Sequence, residues 1–209
     1  MKKFLLVLIS VDILFVILHI LLKMDILENS GFRINRDGGF AEIYQYNKAV
    51  LSSIVLLIVA WKEKSGLTLF WSMLCFFLFL DDWLRLHERV GGNIFGAYLE
   101  TTITNTYHQG QLLYATLFAL IAGLIGIYFW RSSTPSARRL SVGLIASFGL
   151  LGFSAVIVDY MHAIWVPEHL DQLATIIEEA GEHLAISLIL WFSVQGLLLT
   201  KEAHVYAPT

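Results

Sequence analysis

FLLVLISVDILFVILHILLK occupies residues 4–23 and is long and apolar enough to cross a lipid bilayer as one helix. Five further apolar segments follow, at roughly residues 47–61, 67–86, 109–130, 140–163 and 183–200. The second reaches spanning length if it begins near Ala41, and the pattern from Leu170 to Leu199 predicts one long helix. Backbone polar groups that face hydrocarbon must be satisfied within their own segment, so all six should be helices. The sequence therefore predicts an all-α, polytopic membrane bundle of about six transmembrane helices.

Composition supports this class and excludes others. The chain has 209 residues, of which 57% are hydrophobic and 15% charged, and its mean hydropathy is +0.69. Soluble domains are nearer to about a quarter charged. This length suits one bundle, so we predict a single domain over residues 1–209. A net charge of -3 without a basic stretch excludes a nucleic-acid partner, and a single cysteine, Cys75, excludes intrachain disulfides and cysteine-cluster metal sites.

Basic residues in the connections between helices predict the orientation. Eight lie on the side of the two termini, and six lie on the other side: Lys23, Arg33, Arg36, Lys48, Arg85 and Arg89. The connection at 131–139 is basic, whereas the one at 164–182 has no Lys or Arg. Because positively charged connections stay in the cytoplasm, we expect both termini to be cytoplasmic, in a bacterial inner (plasma) membrane.

Acidic and histidine residues are concentrated on the side opposite the termini. Of 17 Asp and Glu, only Glu63 and Glu202 fall in the inner connections, and of seven His only His204 does. A rise of about 1.5 Å per residue, counted from the inner end of each helix, places Asp82 about 23 Å and Asp159 about 28 Å across the hydrocarbon. We therefore expect a polar site near the outer leaflet, half buried and open to water.

Helical spacing suggests what this site binds. Asp159 and His162 are three residues apart and share a helix face, and Glu179 lies four residues before another histidine. Helical bundles hold metal ions with inward carboxylates and imidazoles at such spacings, and oxygen and nitrogen ligands suit Zn, Mn or Fe. We predict that a divalent metal takes its ligands from six residues: Asp82, His87, Asp159, His162, Glu179 and His183. Glu88 or Glu182 would then be free to act as the general base.

Other polar and aromatic residues receive structural roles. Small residues at Gly149 and Gly152 continue the Asp159 face and should let a neighbouring helix approach closely. Asp12, near mid-membrane, should be paired or protonated inside the bundle, and His19 should form an interhelical hydrogen bond rather than serve as a ligand. The tryptophans are interpreted as interfacial or lipid-facing anchors: Trp71, Trp83, Trp130, Trp165 and Trp191.

Three classes of function remain open. The first is a metal-dependent membrane enzyme acting on a lipid-like or amphiphilic substrate, by hydrolysis through a metal-bound water or by oxidation at a di-iron centre. The second is a b-type haem electron carrier with axial ligands among His19, His108, His162 and His183. The third is a proton- or ion-coupled transporter or channel, which Asp12 favours. In every case membrane lipids are the surrounding partners.

Overall fold

The computed structural model describes residues 1–99 and 106–205, with side chains described up to residue 200. Within this part, six helices are long and apolar enough to cross a membrane. They are α1 (Lys2–Lys23), α2 (Phe40–Glu63), α3 (Gly66–Leu84), α4 (Thr106–Arg131), α5 (Pro135–Trp165) and α6 (Asp171–Val205). The predicted all-α architecture and six helices of spanning length are confirmed.

Helix bounds follow the apolar segments closely. The second helix begins at Phe40, next to the expected start near Ala41, and the last is one continuous helix of 35 residues, as its pattern predicts. Residues 100–105, in the connection between α3 and α4, and the side chains of Glu202 and His204 lie outside the described residues.

The two ends of α3 are defined by local chemistry. At its start the Ser65 hydroxyl accepts a hydrogen bond from the Thr68 backbone N–H at 3.2 Å, which caps the first turn. At its end Arg85 adopts a left-handed conformation with φ of 51°, and its N–H donates to the carbonyl of Asp82. The chain therefore changes direction directly after the acidic pair at Asp81 and Asp82.

Two segments are π-helical rather than α-helical. One runs from His87 to Phe95 and continues into a single α-turn, Gly96–Tyr98. The other runs from Phe153 to Val158 inside α5 and directly precedes Asp159. Because π-helical turns are rare and occur often at functional sites, both mark places where the helical register is interrupted beside polar residues.

By its contacts the chain divides into two compact units. Unit 1 comprises residues 1–48 and 146–191, and unit 2 comprises residues 49–145 and 192–209. The buried apolar side chains of unit 1 include Ile34, Leu151 and Ile189, and those of unit 2 include Leu56 and Leu67. The single-domain assignment stays a prediction.

One tryptophan differs from its predicted role. Trp83 and Trp165 are exposed, as lipid-facing anchors should be, but Trp71 is 6% exposed. Its indole N–H donates to the Ser141 hydroxyl at 2.7 Å within unit 2. The anchor assignment of Trp71 is therefore wrong, because this indole has a polar partner in the protein interior.

The predicted close approach along α5 occurs at a different position. A Cβ atom built on Gly149 or Gly152 would meet no heavy atom within 4 Å, so that prediction is wrong. A close approach between α5 and α6 in unit 1 is at Gly181 of α6, where a Cβ atom would collide with the Ser154 side chain. Ser154 belongs to the π-helical segment of α5, so the contact lies just before Asp159.

Candidate functional site

A carboxylate–histidine group, which we call the Asp81 group, lies in unit 2 where α3 ends. Asp81, Asp82 and His87 each offer a ligand-type atom, and these atoms all lie within 4.8 Å of one another. All three side chains are half-buried. The left-handed residue Arg85 turns the chain so that the π-helical segment returns His87 to the acidic pair. Among the described residues, this is the set of three that could hold a metal ion.

Hydrogen bonds order this group. His87 Nδ1 lies 3.0 Å from Asp81 Oδ2, and the Tyr114 hydroxyl of α4 donates to Asp81 Oδ1 at 2.8 Å. Burial alone would lower the pKa of His87, but the hydrogen bond to Asp81 and the charges of Asp81, Asp82 and Glu88 outweigh it and raise this pKa. The metal-free group therefore favours a proton on His87, with which any cation would have to compete.

Glycines hold the π-helical segment against the first turns of α4. A Cβ atom on Gly110 would collide with the backbone of Gly91 and Gly96, and one on Gly91 would lie 2.9 Å from the Cα atom of Gln111. No larger residue fits this contact without moving a backbone. The segment that carries His87 is therefore fixed to the helix that carries Tyr114.

A second cluster, which we call the Lys48 network, is buried in unit 1 among α1, α2 and α6. The Lys48 ammonium donates to Asp12 Oδ1 at 2.8 Å, to the His183 carbonyl at 3.0 Å and to the Ser187 hydroxyl at 3.0 Å. The Ser187 hydroxyl donates in turn to Asp12 Oδ2 at 2.6 Å. All three ammonium protons and both carboxylate oxygens thus have partners.

Lys48 also corrects the count of basic residues used for orientation. That count assigned it to an outer connection, but Lys48 lies within α2 and is 1% exposed. It carries no information about which side of a membrane the connections occupy. For Asp12 the structure selects the paired alternative.

The imidazole of His183 lies beside this network. Its Nδ1 is 3.5 Å from Asp12 Oδ1, and its ring is stacked near those of Phe15 and Tyr44, with centroids 6.0 and 6.3 Å away. The residue is fully buried, and neither ring nitrogen has a hydrogen-bond partner in the described part of the chain. The Lys48 ammonium lies over the Tyr44 ring at 4.4 Å, so the aromatic faces also contact the cation.

A third group joins α5 to α6 within unit 1. His162 Nδ1 lies 2.9 Å from Glu178 Oε2, and His162 Nε2 lies 3.1 Å from Asp171 Oδ1. Glu178 also interacts with Asp159. An imidazole that donates from both nitrogens is an imidazolium, so the arrangement suits a cationic ring between carboxylates.

His19 fixes the connection that follows α1. Its Nδ1 accepts a hydrogen bond from the backbone N–H of Ile34 at 3.1 Å, and both residues are buried. Because Nδ1 must be unprotonated to accept, the neutral ring carries its hydrogen on Nε2. The expected hydrogen bond of His19 is confirmed, but the interhelical arrangement is wrong, because the partner is a backbone amide of the connection that follows α1.

The structure brings some of the predicted site residues together. Asp82 and His87 lie in the Asp81 group, with Glu88 next in sequence. Asp81 is a member that we did not count among the ligands, although its position beside Asp82 at the same depth was available from the sequence. Glu179 and Glu182 are half-buried on α6. Metal ligation by Asp159, His162, Glu179 and His183, and the base roles of Glu88 and Glu182, stay predictions.

Residues 45–195 match a protein family described as "Domain of unknown function (DUF8692)". The chain belongs to this family. The DUF8692 match covers well over half of the 209 residues and includes the whole Asp81 group and three of the four members of the Lys48 network. It also includes His162 with its partners Asp171 and Glu178. Asp12 and His19 precede the matched DUF8692 region. No curated protein and no solved structure matches the chain.

Proposed function

We propose that the chain is a multi-pass membrane protein that binds a divalent transition metal, such as Zn, Mn or Fe, through the Asp81 group. The observation that carries the proposal is that the ligand-type atoms of Asp81, Asp82 and His87 lie within 4.8 Å of one another. Two carboxylates so close together repel each other, and a bound cation would offset this repulsion. Carboxylate and imidazole ligands suit these metals.

The membrane assignment is supported by apolar surface as well as by helix length. On α4, large apolar residues are 60% exposed at Leu120 and 69% at Leu124, and α1 has a similar exposed band around Leu6 and Ile13. Soluble monomers seldom expose apolar area on this scale, whereas lipid chains would cover it. The basic 131–139 connection supports cytoplasmic termini and an inner-membrane location.

We further propose that the bound metal serves an enzymatic reaction on a lipid-like or other amphiphilic substrate. The Asp81 group lies at the end of α3 and is half-buried, a position that both water and a membrane-dissolved substrate can reach. A metal lowers the pKa of a bound water and makes it nucleophilic near neutral pH. We assign the role of the general base that takes the proton from that water to Glu88, because it is adjacent in sequence to His87.

Elemental analysis and an absorption spectrum of the detergent-purified protein test this proposal. We expect about one equivalent of Zn, Mn or Fe in the wild type and its loss in His87→Ala and Asp82→Ala. Glu28→Ala should retain the metal, because it changes an exposed carboxylate that is distant in sequence from the Asp81 group. Full metal content in both site variants would refute the assignment. A Soret band would favour the haem alternative instead.

A second candidate function is proton- or ion-coupled transport, which the Lys48 network favours. Ionisable residues buried inside membrane-spanning helices commonly mark ion or proton pathways. Asp12 and Lys48 form such a pair at 2.8 Å between α1 and α2. The test is the flux of protons or cations into liposomes that contain the protein. A flux that is lower in Lys48→Met than in the wild type would support transport. A wild-type flux equal to that of empty liposomes would eliminate this function.

A further inference from the structure

Three side chains in unit 2 form a continuous hydrogen-bonded chain. The Tyr114 hydroxyl donates to one carboxylate oxygen of Asp81, and the other oxygen lies 3.0 Å from Nδ1 of His87. Each oxygen of Asp81 therefore already has a partner. Asp81 is also the more enclosed residue, since its side chain is 15% exposed against 39% for His87.

This chain determines where the proton of a neutral His87 ring lies. An ionised carboxylate can only accept hydrogen bonds, so the contact with Asp81 Oδ2 requires a hydrogen on His87 Nδ1. The lone pair of the neutral ring is then on Nε2. That atom has no hydrogen-bond partner within the residues described here, so it is available to a ligand.

We propose that Asp81 is a positioning residue of the metal site rather than one of its ligands. His87 binds the metal through Nε2, Asp82 supplies a carboxylate ligand, and Asp81 holds His87 in the required tautomer. Tyr114 holds Asp81 in turn. The inference rests on the proposed metal site, and it follows the general arrangement in which a metal-bound histidine donates its second N–H to a carboxylate.

The geometry distinguishes this role from direct ligation. To bind a metal itself, Asp81 would have to release His87 or share an oxygen that Tyr114 already occupies. The glycine contact holds the π-helical segment close to Tyr114 itself, since a Cβ atom on Gly91 would lie 3.0 Å from the Tyr114 Cβ atom. Asp82 offers a carboxylate oxygen that lies within 4.8 Å of ligand-type atoms of the other two residues.

Two conservative substitutions test the proposal. In Asp81→Asn the Tyr114 hydroxyl still meets the amide oxygen, so the amide NH2 faces Nδ1 and forces the hydrogen of His87 onto Nε2. We expect Zn²⁺ to bind with unchanged stoichiometry but about 10- to 100-fold more weakly. Tyr114→Phe should also weaken Zn²⁺ binding, but by a smaller factor than Asp81→Asn does.

The measurements are competition titrations with Zn²⁺ on chelator-treated full-length protein in detergent, and ¹⁵N NMR of histidine-labelled protein. At a pH above the pKa of His87, where the ring is neutral, the NMR signal reports the tautomer directly: Nδ1–H for His87 in the wild type and Nε2–H in Asp81→Asn. If Asp81 had only a structural role, the tautomer of His87 would be the same in Asp81→Asn as in the wild type. Because Tyr114 acts through Asp81, the double variant should bind Zn²⁺ no more weakly than Asp81→Asn. Tyr128→Phe, on an exposed tyrosine of the same helix, is the matched control.

The outcomes separate this inference from the proposed function. Absence of Zn²⁺ binding in the wild type would overturn the metal site and this inference together. Binding in the wild type that is lost completely in Asp81→Asn, as in His87→Ala, would make Asp81 a ligand and overturn the inference alone. Affinities of Asp81→Asn and Tyr114→Phe equal to the wild type would overturn it as well.

Discussion

The Lys48 ammonium lies 2.8 Å from the Asp12 carboxylate, and less than a tenth of either side chain is exposed. Removing both charges from water has a large cost, which their attraction offsets only if the remaining hydrogen-bonding positions are also filled. Here Ser187 and the His183 carbonyl fill them. The pair is neutral as a unit, so each charge depends on the other.

We predict that breaking this pair costs more than removing it. Asp12→Leu or Lys48→Met alone should lower the free energy of unfolding by about 3–5 kcal/mol, because each leaves an unpaired buried charge. The double variant should be more stable than either single variant. Unfolding in mixed micelles measures this, with Ser10→Ala on the exposed part of α1 as the control. A double variant that loses the sum of both single effects would contradict the prediction.

A second prediction concerns the glycine contact. Gly110→Ala places a methyl group against the backbone of Gly91 and Gly96 and should lower both the melting temperature and the Zn²⁺ affinity. Gly123→Ala in the same helix meets open space and should be neutral or stabilise by up to about 1 kcal/mol. Thermal unfolding in detergent compares them. A melting temperature of Gly110→Ala equal to that of the wild type would show that the described contact between Gly110 and the π-helical segment is incorrect.

A third prediction concerns the connection after α1. His19→Phe removes the acceptor for the Ile34 amide, so hydrogen exchange of that amide should become about tenfold faster. His169→Phe changes an exposed histidine and should leave the exchange rate unchanged. Hydrogen–deuterium exchange with mass spectrometry over residues 30–36 is the measurement. Equal protection in His19→Phe and the wild type would show that this bond does not hold the connection.

A fourth prediction tests the orientation. With Cys75 replaced by Ala, we expect a membrane-impermeant maleimide to label Asp37→Cys in intact cells and Ser133→Cys only after lysis. The reason is that Ser133 lies in the basic 131–139 connection, which should be cytoplasmic. Labelling of Ser133→Cys in intact cells, without labelling of Asp37→Cys, would reverse the proposed topology.

The helices were largely predictable because apolar length alone determines them. The start of α2 near Ala41 and the unbroken α6 both follow from hydropathy. The π-helical segment at Phe153–Val158 was not predictable in this way, since one extra residue in a turn leaves no signature in an apolar run.

The polar groups were predictable in kind but less so in detail. Depth along the third helix and position at its end identified Asp82 and His87. The direction taken by the chain after Arg85, which brings His87 back to Asp81, depends on a single left-handed residue. Lys48 was missed although the span that begins near Ala41 contains it. A lysine inside a predicted span is itself a sign of a buried partner, and Asp12, at a similar depth in α1, was the candidate.

Because of the π-helical turn at Phe153–Val158, the direction in which Asp159 and His162 point depends on how many residues the turn contains. One residue fewer in that turn would restore the regular α-helical repeat and rotate everything beyond it by about 100°. His162 would then point away from Glu178 and Asp171 although every polar side chain was still present. A single-residue deletion in this turn would thus keep every polar side chain but change the direction in which these side chains point.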